Sequence, residues 1–166
     1  MALYASSVEQ ALHCLLFLVD MTPEQTFSSN DLAELQGLSP SYVAKLFTQL
    51  KNAGLVIAVE GVGGGYQLAR SAKDISVLDV VDGLEGGKPL FRCRDIRRNC
   101  ALFRGSPPSW ATRGLCSIHA VMLEAEQRMR QTLMENSLAD LAQGVRRKAP
   151  QAYMAEVTTW FQSRKP

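Results

Sequence analysis

Apolar residues recur with a helical period near the start of the chain, at positions 8, 11, 12, 15, 16 and 19. This spacing places them on one wide face of a helix. The pattern therefore predicts a first helix that buries this face and ends before Pro23.

Two helix-start signals follow within the next thirty residues. Serine and asparagine at positions 28–30 are N-cap candidates for a short helix that Gly37 ends. Ser39, followed directly by proline, begins a second helix that runs to about Asn52 and stops at Gly54. Two short helices joined by a tight glycine-containing turn form a helix-turn-helix pattern.

A hairpin is predicted immediately after these helices. The run LVIAVEGVGGGYQLA, residues 55–69, places β-rich stretches on both sides of a glycine-rich turn. Glycine there permits positive φ angles and close approach to a DNA backbone. No helix or Lys-Ser/Thr pair follows the glycines, so a nucleotide-phosphate site is disfavoured. A helix-turn-helix followed by a hairpin indicates a winged helix.

The second half of the chain alternates between periodic and irregular segments. Residues 76–84 form a short capped helix, and the stretch up to Gly114 is rich in Arg, Pro and Cys without a clear period. From Ser117 to about Leu141, strong helix formers place apolar residues close to an a/d seam, which predicts antiparallel pairing in a homodimer. The tail is polar and expected to fray, although AYMAEVTTWF can form a short docked helix.

These patterns predict a mainly α fold with a small β wing. The expected divisions are a winged helix-turn-helix at 1–85, a cysteine-containing loop at 86–116, a dimerisation helix at 117–142 and a C-terminal tail at 143–166.

Composition places this fold in the soluble globular class. The chain has 166 residues, 46% of them hydrophobic and 20% charged, which suits one substantial core. No secretory signal and no run of about 18 apolar residues is found, so we expect a cytoplasmic location and no membrane partner. Four cysteines are too few for a disulfide scaffold in a reducing compartment, and they favour metal binding or redox chemistry.

Charge alone does not favour DNA binding by the first half of the chain. Residues 1–70 contain three basic and six acidic side chains, and the excess of positive charge lies after them. The DNA-binding prediction therefore rests on the order of helix-turn-helix and wing. Double-stranded DNA contacts are expected from residues of the two helix starts, the second helix and the wing: Ser28, Ser39, Ser41, Tyr42, Lys45, Gln49, Lys51, Gly63, Gly64 and Tyr66.

The strings SPSYVAKLFTQLKNAGLV, GGGYQLAR and SVLDVVDGLEG resemble the helix-turn-helix, wing and connecting helix of the Rrf2 regulators, which include iron–sulfur and nitric-oxide sensors. The resemblance runs from about residue 6 to residue 141. It implies a dimeric DNA-binding regulator, expected to be a repressor, with a palindromic operator. Two features depart from the family pattern: Glu60 stands where the wing commonly has Arg, and the neutral MALYASS replaces a basic arm.

Cluster-binding members of this family carry three cysteines between the connecting helix and the dimerisation helix. Here Cys93, Cys100 and Cys116 occupy that segment, with six and then fifteen intervening residues. The resemblance implies an iron–sulfur cluster, with two irons favoured and four possible. Four arginines near the first two thiols, at positions 92, 94, 97 and 98, would offset the negative charge of such a cluster.

A further ligand must come from outside the loop. Glu9 and His13 are four residues apart and share one face of the first helix. Their setting, VEQALHC, resembles V-E-x-A-L-H-C of a redox-sensing branch, in which Glu and His of one subunit complete a two-iron cluster held by cysteines of the other. His119, three residues after Cys116, matches a Cys-x-x-His of another branch. The expected set is Cys100 and Cys116 from one subunit with Glu9 and His13 from the other, and with Cys93 and His119 in reserve.

Alternatives remain for the chemistry of the cysteines and for the class of protein. Cys93 and Cys100 could form a disulfide switch, or the cysteines could hold structural zinc. Cys14 is expected in the core, away from the cluster. An enzyme is disfavoured because no nucleophile–base pair, P-loop or dinucleotide fingerprint is present.

Overall fold

The computed structural model describes residues 3–22, 25–61 and 63–164, and its folded part is mainly helical with a two-stranded antiparallel sheet. This confirms the predicted fold class. The elements are α1 (Ser6–Leu16), α2 (Ser29–Gln36), α3 (Pro40–Asn52), β1 (Val56–Val59), β2 (Gly65–Leu68), α4 (Val77–Glu85), α5 (Ser109–Thr112), α6 (Ser117–Met134), α7 (Leu138–Lys148) and α8 (Gln151–Gln162). Pro23 lies outside the described residues, and α1 ends before it.

The chain forms two compact units. The first combines residues 1–87 with residues 133–166, and the second comprises residues 88–132. The winged helix lies in the first unit, and all three cysteines of the predicted loop lie in the second. No helix among the described residues has both the length and the apolar composition to span a bilayer.

The predicted helix-turn-helix is confirmed by its capping contacts. Ser28 caps α2 by accepting a hydrogen bond from the Asp31 amide, and Gly37 ends this helix with a φ of 63°. Ser39 caps α3 in the same way through the Tyr42 amide. These local contacts fix where each helix starts and therefore which face of α3 is exposed.

The core of the first unit packs α1 against α3 and the short helices around them. Leu15 of α1 and Phe47 and Leu50 of α3 are fully buried in it. Cys14 is also fully buried, as expected, and burial raises the pKa of its thiol to about 11. This thiol is therefore a core side chain that remains protonated near neutral pH.

The wing is held to the first unit by a short backbone bridge. The amide of Tyr66 on β2 donates to the carbonyl oxygen of Phe27 over 2.9 Å. A Cβ atom at Gly65 would lie 2.5 Å from the same Phe27 oxygen. Glycine is required at this position by the close approach of two backbones.

Replacing Gly65 with alanine should destabilise the protein by about 1–3 kcal/mol, because β2 must move away from Phe27 and weaken the bridge. The matched control is Gly144→Ala in α7, where a new Cβ would meet no atom within 4 Å. That change should stabilise the protein by about 0.5–1 kcal/mol through its higher helix propensity. Urea denaturation measures both, and equal effects of the two substitutions would contradict the close approach.

The single helix predicted over 117–142 is wrong. The helix α6 ends at Met134, and α7 begins after Ser137, which forms a capping box with Asp140. The Leu138 amide donates to the Ile75 carbonyl oxygen over 2.9 Å, and the Leu138 side chain is fully buried. Burial of this leucine, together with the cap at Ser137, explains the break.

The tail does not fray over most of its length, and the docked-helix alternative is confirmed. Phe161 of α8 is buried, and its ring stacks on Phe27 with centroids 3.5 Å apart. The Arg164 guanidinium pairs with Glu34 of α2 at 2.5 Å and lies 3.7 Å above the Trp160 ring. The C-terminal helix is thereby attached to the helix-turn-helix.

Candidate functional site

One face of α3 is exposed and carries polar side chains at helical spacing. Ser41, Lys45 and Gln49 are exposed on α3, as the sequence predicted for DNA contacts. Thr48 and Asn52 are exposed at the intervening positions of the same spacing, and the prediction missed them. Thr48 lies three residues after Lys45, and Asn52 lies three residues after Gln49, so helical spacing could have identified both.

Several predicted DNA contacts are hydrogen-bonded or packed within the protein. The Tyr42 hydroxyl donates to Gln10 Oε1 on α1 over 2.6 Å. The Tyr66 ring packs on Phe47, with centroids 4.7 Å apart. The Ser28 hydroxyl donates to Asp31 Oδ2 over 2.6 Å while capping α2. These contacts position α2, α3 and the wing.

The wing turn exposes Gly61, Gly63 and an acidic side chain, whereas Gly64 is half-buried. Gly61 and Gly63 adopt positive φ angles of 112° and 78°, so the expectation of positive φ is confirmed there. The Thr26 hydroxyl donates to the Gly63 carbonyl oxygen and fixes the turn. Glu60 is exposed at its base. A carboxylate at this place would repel a phosphate backbone that approached the wing.

Arg70 stabilises the winged helix through contacts within the protein, a role that the sequence did not reveal. Its guanidinium donates to the carbonyl oxygens of Gly54 and Asp74, at 3.3 and 2.8 Å, and pairs with Asp79 at 3.1 Å. Lys45 and Lys51 are exposed on α3. These two lysines are consequently the better candidates for phosphate contacts in the first 70 residues.

In the second unit, Arg97 connects the parts of the chain that carry two of the cysteines. Its guanidinium donates to Asp95 Oδ1 over 2.8 Å and to the Gly114 carbonyl oxygen over 2.7 Å. The Asp95 amide donates to the Cys93 sulfur, and the Gly114 carbonyl lies two residues before Cys116. Arg97 therefore links the chain next to Cys93 with the chain that leads into Cys116.

The other three arginines of the loop are exposed. They are Arg92, Arg94 and Arg98, and Arg98 also forms an ion pair with Asp95. Cys100 is exposed at the start of a short 3-10 turn. Arg97 is the arginine whose charge lowers the pKa of the Cys116 thiol.

Cys116 lies at the N-terminal end of α6. Backbone hydrogen bonds from His119 and Ile118 lower the pKa of its thiol, and the Arg97 charge lowers it further. Amides at a helix start and a nearby guanidinium both stabilise a thiolate. Cys116 is thus prepared to act as an anionic ligand or nucleophile.

In the metal-free protein, alkylation of Cys116 should show a pH midpoint below 9, the ordinary value for this thiol. A lowered pKa means that the thiolate is populated at lower pH in the folded protein than in the unfolded one. Arg97→Gln should raise the midpoint, and Arg94→Gln should not. Iodoacetamide labelling with peptide mass spectrometry measures it, and a midpoint unchanged by unfolding would contradict this assignment.

The predicted ligands outside the loop lie in both units. In the first unit, Glu9 and His13 are exposed one turn apart on α1 and line a groove of 600 Å³. In the second unit, the half-buried His119 ring lies 5.8 Å from the Phe91 ring. No three His, Cys, Asp or Glu side chains of the described part of one chain gather into a metal site. The predicted set draws on two subunits and stays a prediction.

The fold and the exposed α3 face define a winged-helix transcriptional regulator of the DNA-binding class. The Rrf2 family model, described as an iron-dependent transcriptional regulator, matches residues 4–144, and the chain belongs to this family. The transcriptional regulator YffB of Lactococcus lactis is 34% identical over 138 residues, which cover 83% of this chain and 85% of YffB.

Solved structures support the same fold. IscR of T. potens superposes with a TM-score of 0.65 at 24% identity, covering 91% of this chain and 94% of that one. CymR (YrzC), the global cysteine regulator of B. subtilis, superposes with a TM-score of 0.64 at 22% identity and covers 86% and 98% of the two chains. At these identities the structures support the winged-helix architecture.

Proposed function

We propose that this regulator is a homodimeric repressor whose affinity for DNA is controlled by an iron–sulfur cluster that responds to redox state or nitric oxide. The carrying observation is the hydrogen-bond network around Arg97, which joins Asp95, the donor to the Cys93 sulfur, to the Gly114 carbonyl two residues before Cys116. The description of the family as iron-dependent supports the same cofactor.

The residues present fit such a cluster chemically. Thiolates are the usual ligands of iron–sulfur clusters, and their charge must be offset by nearby donors and cations. Cys116 has the helix-start amides and Arg97, and the Cys93 sulfur accepts a hydrogen bond from the Asp95 amide. When bound, the cluster would supply reversible one-electron chemistry and a reaction site for nitric oxide.

We propose one change to the ligand set expected from the sequence. Cys116 would bind the cluster together with a second thiolate, and the network that joins Cys93 through Asp95 and Arg97 to the chain before Cys116 favours Cys93 over Cys100. Glu9 and His13 of a second subunit complete the set, because both are exposed on one face of α1. Carboxylate and imidazole are harder ligands than thiolate and raise the reduction potential of a two-iron cluster.

The proposed signal passes from α1 to the recognition helix. Gln10, next to Glu9, accepts the hydrogen bond from Tyr42 on α3. The α1 core residues pack directly on α3, so a shift of one helix moves the other. Ligation by Glu9 and His13 would therefore change the position of α3 relative to its symmetry mate on DNA.

The proposed dimer is formed through α6. None of the α6 residues is buried within the chain, and Ile118 and Val121 are 69% and 65% exposed. An apolar stripe of this kind is ordinarily covered, and a second copy of α6 covers it by antiparallel pairing. The dimer presents two recognition helices to the two halves of a palindrome.

The DNA-binding part of the proposal predicts opposite effects at two positions. Lys45→Ala should weaken binding to a palindromic promoter duplex, and Glu60→Arg should strengthen it by adding a cation on the wing. Each phosphate contact changes the slope of log affinity against log salt by about one. Fluorescence anisotropy over a salt series measures the slope, with Lys148→Ala in α7 as the control.

Binding should saturate at two chains per palindrome. An unchanged affinity and salt slope in both Lys45→Ala and Glu60→Arg would contradict the proposed DNA face. A Cys93–Cys100 disulfide or a zinc switch remains the second candidate, because Cys93 and Cys100 are both free and exposed. Both of these states are colourless, which distinguishes them from a cluster.

A further inference from the structure

A cavity of 490 Å³ lies within the first unit, between α1, the segment after it, α7 and α8. This volume is typical of sites for small organic ligands. The family match ends at residue 144, so the α8 wall, Gln151–Gln162, lies beyond it. All of the residues that line it belong to the first unit, and His13, a proposed cluster ligand, is one of them.

The lining combines an apolar interior with a few polar groups. Leu16, Phe27, Val157 and Phe161 supply aliphatic and aromatic surface, and Arg146 is among the polar groups that line the same cavity. Binding sites for metabolites commonly have this composition, in which apolar walls provide affinity and a few polar groups fix orientation.

The available hydrogen-bond donors favour a carboxylate ligand. One guanidinium nitrogen of Arg146, Nη1, pairs with both oxygens of Asp20, at 2.8 and 2.6 Å, which neutralises that carboxylate. The opposite edge of a guanidinium keeps further N–H donors. The Gln25 side chain accepts a hydrogen bond from the Thr22 amide through Oε1 and keeps its NH₂ group as a donor.

The cavity wall is also part of the winged helix. Phe161 stacks on Phe27, and the Phe27 backbone is bridged to Tyr66 of the wing. Arg164, after the end of α8, pairs with Glu34 of α2. A ligand that moves α8 would therefore act on the wing and on the helix-turn-helix together.

We propose that this cavity binds a small carboxylate with an aliphatic or aromatic body, and that its occupancy changes DNA affinity. Binding of the carboxylate does not depend on the proposed function. The effect of occupancy on DNA affinity rests on the proposed function as a DNA-binding regulator.

Octanoate and phenylacetate are suitable probes, with octanamide and octylamine as matched compounds of other charge. Binding to the full-length protein is measured by calorimetry and by the fluorescence of Trp160 in a Trp110→Phe background, since Trp160 contacts the Phe161 ring. Octanoate should bind at least tenfold more tightly than octylamine or octanamide. Arg146→Gln should remove this preference, and the exposed neighbour Arg147→Gln should retain it.

Filling the cavity tests its location. Val157→Trp should abolish octanoate binding, and Met154→Trp is a second filling variant if the first fails to fold. Absence of octanoate and phenylacetate binding at millimolar concentration, equal binding of the amine, or full binding by a folded filled variant would overturn the site. Octanoate binding without any change in DNA affinity would overturn the effector role. Failure of the ligand-free protein to bind DNA would contradict the proposed function and leave the site standing.

Discussion

Replacing His13 with alanine should remove most of the iron–sulfur cluster from anaerobically purified protein, whereas His119→Ala should retain it. His13 is exposed beside Glu9, as a ligand to a neighbouring subunit must be. The half-buried His119 ring lies 5.8 Å from the Phe91 ring within its own unit, so we expect it to contribute to packing there. Loss of a direct ligand should reduce cluster retention by about tenfold or more, since even supporting partners contribute 10–100-fold.

Iron and sulfide per chain, together with the visible spectrum, measure this difference. Glu9→Ala should resemble His13→Ala, and Cys93→Ser should lose more cluster than Cys100→Ser. If His119→Ala were the more damaging change, the fourth ligand would lie at the start of α6 and the cluster would belong to one subunit. Equal retention in both histidine variants would exclude both as ligands.

Replacing Phe161 with alanine should destabilise the protein by about 3–5 kcal/mol, the usual cost of deleting a buried aromatic ring. Its ring is buried, stacks on Phe27 and contacts Phe17 edge-on with centroids 5.9 Å apart. The substitution leaves a void where α8 meets the core of the winged helix. The matched control is Tyr153→Ala on the same helix, whose side chain is 44% exposed and whose loss should cost much less.

Urea denaturation followed by far-ultraviolet circular dichroism measures both changes. A cost for Phe161→Ala no larger than that for Tyr153→Ala would show that α8 does not dock as described. A large cost accompanied by weakened DNA binding would extend the role of α8 to the positioning of the wing, because Phe27 contacts both.

Local signals made the helix-turn-helix and the wing predictable. A serine before each helix and Gly37 after the first act through hydrogen bonds and φ angles within a few residues. The structure contains those contacts at the predicted positions. The exposed face of α3 follows from the same helical period.

Contacts between distant residues could not be predicted in this way. The Arg97 hydrogen bond to the Gly114 carbonyl joins residues 17 positions apart, and the Arg164 pair with Glu34 joins residues 130 positions apart. The break before α7 depends on burial of Leu138, which no helical period reveals. The helical pattern predicts a DNA contact for Tyr42, because the sequence does not show that its hydroxyl donates to Gln10 on α1.

Anaerobic purification followed by an ultraviolet–visible spectrum and analysis for iron, sulfide and zinc tests the central claim most directly. The cluster proposal predicts a brown protein with about two iron and two sulfide per chain for a two-iron cluster, bleached reversibly by mild reductants. A colourless protein that binds its operator and contains zinc, or no metal at all, would contradict the cluster.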